Sequence, residues 1–143
     1  MEQRKKIILI GGGFAGLHLA QQLNSSAFDV LLIDKQNHHQ FQPLYYQVAS
    51  ARLEPSNISF PFRKIFQKSN NVEIRLAEVT KIVSSESKIE TSIGDFNYDY
   101  LVIATGCKTN FFGNEQIQKH ALSMKTTEEA IENYIPEAPD VAD

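Results

Sequence analysis

The 143-residue sequence predicts an α/β fold that combines a parallel sheet with a small antiparallel β-meander. Two observations predict it. Between residues 6 and 34, an apolar segment, a glycine-rich turn, a helical pattern and a second apolar segment follow one another, which is typical of a right-handed βαβ unit. From residue 72 onward, short strand patterns alternate with turn residues, which is typical of strands joined by tight turns.

The first two strands and the helix between them are predicted from the spacing of apolar residues. Residues 7–10 (IILI) and 30–33 (VLLI) are continuous apolar runs, as expected of strands buried on both faces of a parallel sheet. Between them lies one stripe of a helix, formed by Gly16, Ala20 and Leu23. The polar segment 24–26 is expected to end this helix.

The middle of the chain lacks a sustained period. Residues 36–63 contain three prolines and several aromatic residues, which predicts a long loop carrying short helices at 45–53 and 58–66. Such a long irregular segment within a compact domain is usually functional. The strand patterns after it lie at 72–76, 80–84, 88–92 and from 98 onward, with turns at 85–87 and 94–95, and they predict the antiparallel meander.

The last part of the chain is expected to contain one more buried strand, at 100–104, and one helix, at 126–134. Thr126 and Glu129 have the spacing of a capping box at the start of that helix. Residues 135–143 are rich in proline and acidic residues, so we expect a flexible tail there.

Composition and charge exclude several classes of protein. The net charge of -3, without clustered lysines and arginines, gives no reason to expect nucleic acid as a partner. No run approaches the roughly 20 apolar residues of a membrane span, so we expect no transmembrane segment and a soluble chain. Cys107 is the single cysteine, so an internal disulfide is excluded, and a reducing cytoplasm suits this composition. We expect Cys107 to be a small packed residue.

The glycine cluster after the first strand has the pattern Gly11-x-Gly13-x-x-Gly16. In a dinucleotide-binding loop the first glycine permits the turn out of the strand, the second lets a pyrophosphate approach the backbone, and the third lets the helix pack closely. An acid at the end of the second strand then accepts hydrogen bonds from ribose hydroxyls, and Asp34 follows Gly16 by 18 residues. The alternative is a glycine turn with no ligand. The surrounding strands, helix and acid favour a bound dinucleotide.

The type of dinucleotide is narrowed by two further features. A carboxylate at position 34 disfavours a 2′-phosphate, which argues against NADP. The glycine pattern itself serves both NAD and FAD. An apolar strand ending in Ala104-Thr105-Gly106, about seventy residues after Asp34, resembles the segment that lies near the flavin in flavoprotein disulfide reductases and their relatives.

Most of the chain resembles type II NADH dehydrogenases, the single-subunit, FAD-containing NADH:quinone oxidoreductases. The resemblance runs from about Lys6 to Ile131 and is carried by the glycine loop, by "NHHQFQPLYYQVASARLEPSNISFPFR", which begins one residue after "LLIDK", and by "YDYLVIATG" and "SMKTTEEAI". It implies a Rossmann-like FAD-binding domain at residues 1–134, followed by the tail at 135–143. It also implies NADH as the substrate of the full-length family enzyme.

The resemblance implies which residues bind the cofactor. The FAD pyrophosphate would be held by the glycine loop, namely Gly11, Gly13, Phe14, Ala15 and Gly16. Asp34 and Lys35 would lie at the adenosine ribose, and the backbone of Val79 at the adenine. The alternative for Lys35 is an ordinary solvated lysine. Gln42, Pro43 and Leu44 would approach the ribityl and isoalloxazine end. Ala104, Thr105 and Gly106 would line the flavin side. No catalytic acid or base and no metal ligand are expected.

The family's second glycine fingerprint, its returning Gly-Asp element and its membrane-attaching region are not found in this sequence. We therefore expect the chain to be the flavin-binding front part of a longer enzyme and to be inactive alone. We also expect a homodimer through the surface that the other part would cover, and a cytoplasmic location with peripheral attachment only in the longer relatives. The alternatives are a related flavin enzyme, such as a sulfide:quinone oxidoreductase, and a non-catalytic nucleotide-binding module.

Overall fold

The structure is a computed structural model that describes residues 4–133, and within them the chain forms two compact units. The first unit comprises residues 4–39 and 61–106, and the second comprises residues 40–60 and 107–133. The tail predicted at 135–143 and the last residue of the helix predicted at 126–134 lie outside the described residues.

The first unit is built on a four-stranded parallel sheet that consists of β1 (Lys6–Ile10), β2 (Asp29–Asp34), β5 (Val72–Leu76) and β9 (Tyr100–Ile103). Its strand order is β5-β2-β1-β9. Helix α1 (Phe14–Gln22) connects β1 to β2, as the βαβ pattern predicts. The predicted α/β fold with a parallel sheet is confirmed.

The two central strands send alternate residues to opposite faces of the sheet, and both faces are covered. On one face, Leu9 and Leu32 pack with Ala20 of α1 and with the ring of Phe62, which begins the short helix α3 (Phe62–Ile65). On the other face, Ile8 and Leu31 pack with Ile89 of the meander. This two-sided burial explains why the sequences of β1 and β2 are continuous apolar runs.

The meander consists of three antiparallel strands, β6 (Val79–Val83), β7 (Lys88–Thr91) and β8 (Gly94–Asn97). The turn expected at 94–95 is wrong by two residues, because Gly94 already pairs with Thr91 and begins β8. The Thr91 hydroxyl accepts from the Ile93 N–H at 3.2 Å and donates to the Gly94 carbonyl at 2.6 Å, which places the turn at 92–93. The segment 72–76, which the sequence groups with the meander, instead pairs parallel with β2.

The segment 36–63 is more varied than two helices. It contains β3 (His38–Gln40), a 3₁₀ turn (Gln42–Leu44), α2 (Tyr45–Ala49), a second 3₁₀ turn (Pro55–Ile58) and β4 (Ser59–Pro61). The first predicted helix ends early, because Ala51 adopts a left-handed backbone conformation with φ 54°. The second, expected at 58–66, is wrong in its first half, since Pro61 lacks an N–H and disfavours helical backbone at the residue before it.

The second unit has a small core of its own. Tyr45 and Val48 of α2 pack with Ile58 and with Ala130 of α5 (Thr127–Glu132). The Thr126 hydroxyl accepts from the Glu129 N–H at 3.1 Å, as predicted, whereas the Glu129 carboxylate accepts from the Lys125 N–H at 2.6 Å and not from Thr126. A further helix, α4 (Glu115–His120), is absent from the sequence prediction.

A surface ion pair connects the start of β1 to the residue before β9. Lys5 Nζ donates to Asp99 Oδ1 at 2.8 Å and the Lys6 N–H donates to Asp99 Oδ2 at 2.7 Å. These bonds, led by the one from Lys5, hold the pKa of Asp99 below its ordinary value of 3.8. A carboxylate with a lowered folded-state pKa stabilises the fold above the unfolded-state pKa and loses that contribution as the pH falls through the folded-state pKa.

We therefore expect Asp99→Asn to lower the free energy of unfolding at neutral pH and to have a shrinking effect below pH 3.8. Urea unfolding of the wild type and the variant at a series of pH values measures this difference. Asp95→Asn on the meander serves as a control on an exposed carboxylate that pairs with Lys88. A difference between Asp99→Asn and wild type that grows toward acid pH would contradict the assignment.

Candidate nucleotide-binding site

The predicted site lies at the carboxyl edge of the parallel sheet in the first unit. Residue Gly11 follows β1, Asp34 ends β2 and Ala104 follows β9, and these three strands are neighbours. The Gly11 N–H donates to the Ile33 carbonyl at 2.8 Å, and the Ala104 N–H donates to the Ile10 carbonyl at 2.8 Å. Ligands of open α/β sheets bind outside the carboxyl ends of the strands.

Two of the glycines are required by close backbone contacts. Gly11 has φ 100°, and a Cβ there would lie 2.5 Å from the Ala104 carbonyl oxygen. A Cβ on Gly16 would lie 1.8 Å from the Gly11 carbonyl oxygen. The turn out of β1 and the close packing of α1 therefore depend on the absence of a side chain at each position, as the sequence predicts.

Gly13 is different, because a Cβ there would meet no atom within 4 Å. Its backbone has φ -65°, which any residue adopts, so neither strain nor packing within this chain requires glycine there. The position faces open space at the start of α1, where the first amide groups of a helix lack intrahelical partners. No side chain caps α1, and its first turn contains no acidic residue.

Asp34 is half-buried and already binds the glycine loop. Its Oδ2 accepts from the Gly12 N–H at 2.5 Å, and its Oδ1 accepts from the Gln36 N–H at 2.8 Å. An ionised carboxylate has about four acceptor sites, so these two bonds leave capacity for further donors. Asp34 therefore has a structural contact with the loop in addition to the predicted contact with a ribose.

Lys35 and Val79 lie close to Asp34 along the edge of the first unit. The Ala77 N–H donates to the Asp34 carbonyl at 2.9 Å, which brings the start of β6 next to the end of β2. Lys35 Nζ forms an ion pair with Glu78 Oε1 at 2.5 Å, and this hydrogen bond lowers the pKa of Glu78. The Val79 side chain packs into the core beneath the meander, which leaves its backbone for the predicted adenine contact.

The other predicted residues follow β9 or lie in the second unit. Ala104 is half-buried beside the glycine loop, and Thr105 and Gly106 are exposed, with Gly106 at φ 72°. The predicted flavin residues Gln42, Pro43 and Leu44 form the 3₁₀ turn of the second unit. Gln42 and Pro43 are exposed there, and Leu44 packs against the core of that unit. Their roles stay predictions.

The remaining aromatic residues of the long segment divide into core and surface. Tyr45 and Phe62 are fully buried, whereas Tyr46 and Phe60 are about half exposed. The expectation of a packed Cys107 is wrong, because this residue is exposed at the start of an irregular segment. Within the described part of the chain, no group of three His, Cys, Asp or Glu residues could hold a metal ion.

Gly12 has packing and hydrogen-bond contacts that the sequence does not indicate. A Cβ on Gly12 would lie 2.2 Å from the ring of Phe62, so this glycine is required by packing although it is not part of the fingerprint. Its carbonyl accepts from Nδ1 of the buried His39 at 3.0 Å. No local pattern in the sequence indicates that His39 contacts a residue 27 positions earlier.

Comparison with known sequences agrees with this geometry. The sequence pattern described as "Pyridine nucleotide-disulphide oxidoreductase" matches residues 5–137. The type II NADH:quinone oxidoreductase Ndh of Mycobacterium tuberculosis is 34% identical over 134 residues, which cover 91% of this chain and 29% of that protein. The chain therefore spans about three tenths of the length of this relative.

Two solved structures have the same arrangement over most of the chain. The NDH2 of Plasmodium falciparum, solved in complex with NADH, superposes with a TM-score of 0.82 at 25% identity, covering 92% of this chain and 28% of that one. The sulfide:quinone oxidoreductase of Aquifex aeolicus superposes with a TM-score of 0.78 at 28% identity, covering 91% and 30%. Among residues 4–133, no helix is long and apolar enough to cross a membrane.

Proposed function

Because the chain belongs to the pyridine nucleotide-disulphide oxidoreductase family, we propose that its first unit binds FAD as the flavin-binding part of an NADH:quinone oxidoreductase. One observation carries the proposal. The glycine loop lies between the ends of β2 and β9, its Gly13 position faces open space, and the Asp34 carboxylate lies against it. This is the arrangement that a pyrophosphate and an adjacent ribose require.

The proposed roles follow from the geometry of each group. The backbone from Gly13 to Gly16, at the uncapped start of α1, supplies N–H donors and a partial positive charge to the pyrophosphate. Asp34 accepts from a ribose hydroxyl with the acceptor sites that the Gly12 and Gln36 amides leave free. Ala104, Thr105 and Gly106 line the approach beside β9. Bound FAD would supply the redox chemistry, and these residues would position it.

NADH is proposed as the electron donor and a quinone as the acceptor because the relatives named type II NADH:quinone oxidoreductase match at up to 35% identity over 90% of this chain. A sulfide:quinone oxidoreductase is the second candidate, since one such enzyme has a TM-score of 0.78 with this fold. An NADH:quinone oxidoreductase takes its electrons from a second dinucleotide. A sulfide:quinone oxidoreductase takes them from sulfide, which requires redox cysteines besides Cys107.

The pairing of Lys35 with Glu78 supports a site for an unphosphorylated ribose. A 2′-phosphate next to Asp34 would meet a carboxylate, and the nearest lysine in sequence is already paired with Glu78. FAD and ADP should therefore bind, whereas 2′-phospho-ADP should bind at least tenfold more weakly. Isothermal titration calorimetry with these three ligands tests the proposal, and retention of the visible absorbance of oxidised flavin after gel filtration is a second readout.

Two outcomes would contradict the proposed function. The absence of heat from both FAD and ADP would mean that the glycine loop is a turn without a ligand. Tighter binding of 2′-phospho-ADP than of ADP would mean that Asp34 does not select a ribose with a free 2′-hydroxyl. AMP serves as the control ligand, since it has the adenosine and one phosphate but no pyrophosphate.

We also propose that the chain associates with a second copy of itself and with the face of a membrane. The edge strand β9 supports it, because Tyr100 and Ile103 are 54% and 61% exposed although strands of a parallel sheet are usually covered. Sedimentation velocity measures the first association, and a monomer at all concentrations would contradict a homodimer.

A further inference from the structure

His39 is the one buried histidine in the part of the chain that the structure describes, and it contacts the glycine loop in two ways. Its Nδ1 lies 3.0 Å from the Gly12 carbonyl oxygen. A carbonyl only accepts hydrogen bonds, so the proton of this bond belongs to Nδ1. The imidazole also packs edge-on against the ring of Phe14, the first residue of α1, with ring centroids 5.0 Å apart. His39 thus touches the loop immediately before and after Gly13.

The bond to the Gly12 carbonyl determines where the next amide points. In a trans peptide the C=O of one residue and the N–H of the following residue point in opposite directions. The described peptides contain no cis bond, so the Gly13 N–H points away from His39. Gly13 is also the position at which a Cβ would meet no atom within 4 Å. The hydrogen bond of His39 to the Gly12 carbonyl therefore directs the Gly13 amide away from the buried histidine.

The preceding peptide, which joins residues 11 and 12, is fixed as well. The Gly12 N–H donates to Asp34 Oδ2 at 2.5 Å, and the Phe62 ring fills the space that a side chain of Gly12 would occupy. Asp34 thus accepts a hydrogen bond from the N–H of Gly12, and His39 donates one to its carbonyl. The Phe62 ring packs against Gly12 and prevents its displacement. The contacts of Gly12 with Asp34 and with Phe62 do not prevent rotation of the 12–13 peptide, so its orientation depends on His39.

We propose that His39 is a positioning residue that presets the Gly13 amide for the pyrophosphate of the bound dinucleotide. The inference rests on the proposed function, because it assigns a role within the proposed phosphate site. A preset donor costs no reorganisation when the ligand arrives, so the gain appears as binding affinity for a pyrophosphate. His39 does not itself touch the ligand in this role.

The test compares three substitutions of His39 with one of His18, an exposed histidine on α1. His39→Leu removes the donor, His39→Asn places an amide N–H at the position of Nδ1, and His39→Gln places it further out. We expect the ADP dissociation constant to rise about tenfold in His39→Leu and His39→Gln and to stay within about threefold of wild type in His39→Asn and His18→Leu. About tenfold corresponds to roughly 1.4 kcal/mol, as expected for one lost hydrogen bond.

The ratio of ADP affinity to AMP affinity separates positioning from a general loss of structure. A variant that is only less stable would bind both ligands more weakly, whereas loss of the preset amide should lower the ratio, since AMP has no pyrophosphate. If His39→Leu does not fold, the comparison of His39→Asn with His39→Gln decides, because both are polar and they differ in where the donor lies. An unchanged ratio in folded His39→Gln would overturn the inference. Failure of the wild type to bind ADP would instead overturn the proposed function.

Discussion

Gly16→Ala is expected to lower the free energy of unfolding by about 3 kcal/mol or more, because the new methyl group would overlap a backbone atom. Its Cβ would lie 1.8 Å from the Gly11 carbonyl oxygen, and neither the helix nor the loop can give way by rotating a side chain. In an exposed helix the same substitution stabilises by about 1 kcal/mol through helix propensity. The steric effect is the larger of the two, so the sign is reversed here. Urea unfolding measures it.

Gly13→Ala is the matched control for this experiment. The same methyl group at position 13 would meet no atom within 4 Å, and the backbone angle φ -65° suits alanine. We expect stability within about 0.5 kcal/mol of the wild type, as for a surface substitution without a steric conflict. ADP affinity should nevertheless fall at least tenfold, because the methyl group occupies the space through which a phosphate would approach. Equal stability of Gly16→Ala and wild type would refute the close contact, and unchanged ADP binding by Gly13→Ala would refute the phosphate site.

Asp34→Ala is expected to have the second-largest effect, on stability and on nucleotide binding together. The substitution removes the carboxylate that accepts hydrogen bonds from the Gly12 N–H and the Gln36 N–H, and Gly12 is a buried residue. Hydrogen bonds to a charged group contribute about 1.5–3 kcal/mol each, and the loss of the pair should lower the free energy of unfolding by about 2–4 kcal/mol. ADP affinity should fall at least tenfold, since the ribose acceptor is lost and the loop is no longer fixed.

Asp29→Ala provides the control at the other end of the same strand. Asp29 is exposed and pairs with Arg4 at 3.4 Å, so its loss should change the free energy of unfolding by less than about 1 kcal/mol. The two variants are compared by urea unfolding and by calorimetric titration with ADP. Asp34→Ala with the ADP affinity of the wild type would contradict both the ribose contact and the support of the loop.

The central βαβ unit follows from the sequence because its signals are local. The apolar runs at 7–10 and 30–33 are long enough to indicate strands, and the spacing of Gly16 and Ala20 matches one helical face. The positive φ of 100° at Gly11 and the contact of Gly16 with the Gly11 carbonyl are likewise local, since they concern a turn and the helix that follows it, whereas the contact of Gly11 with Ala104 is not. These features were predicted correctly from a few neighbouring residues.

The position of the segment 72–76 was decided by tertiary structure. Its composition indicates a strand but not its partner, and the partner turns out to be β2, about forty residues earlier, in parallel orientation. The same holds for the segment 58–66, where Pro61 and the burial of Phe62 in the first unit replace a helix by a strand and a single helical turn. Pairings of this kind depend on distant residues that no local pattern contains.

In the candidate site, the residues of the glycine loop and the acid that ends the second strand could be predicted from the sequence, because both depend on spacing along a βαβ connection. The contacts that these groups make depend on the tertiary structure. Asp34 holds the Gly12 amide, Glu78 pairs with Lys35 from 43 positions away, and His39 binds the loop from 27 positions away. Hydrogen bonds between residues far apart in the chain form only after the strands have brought them together, so they leave no periodic signal in the sequence.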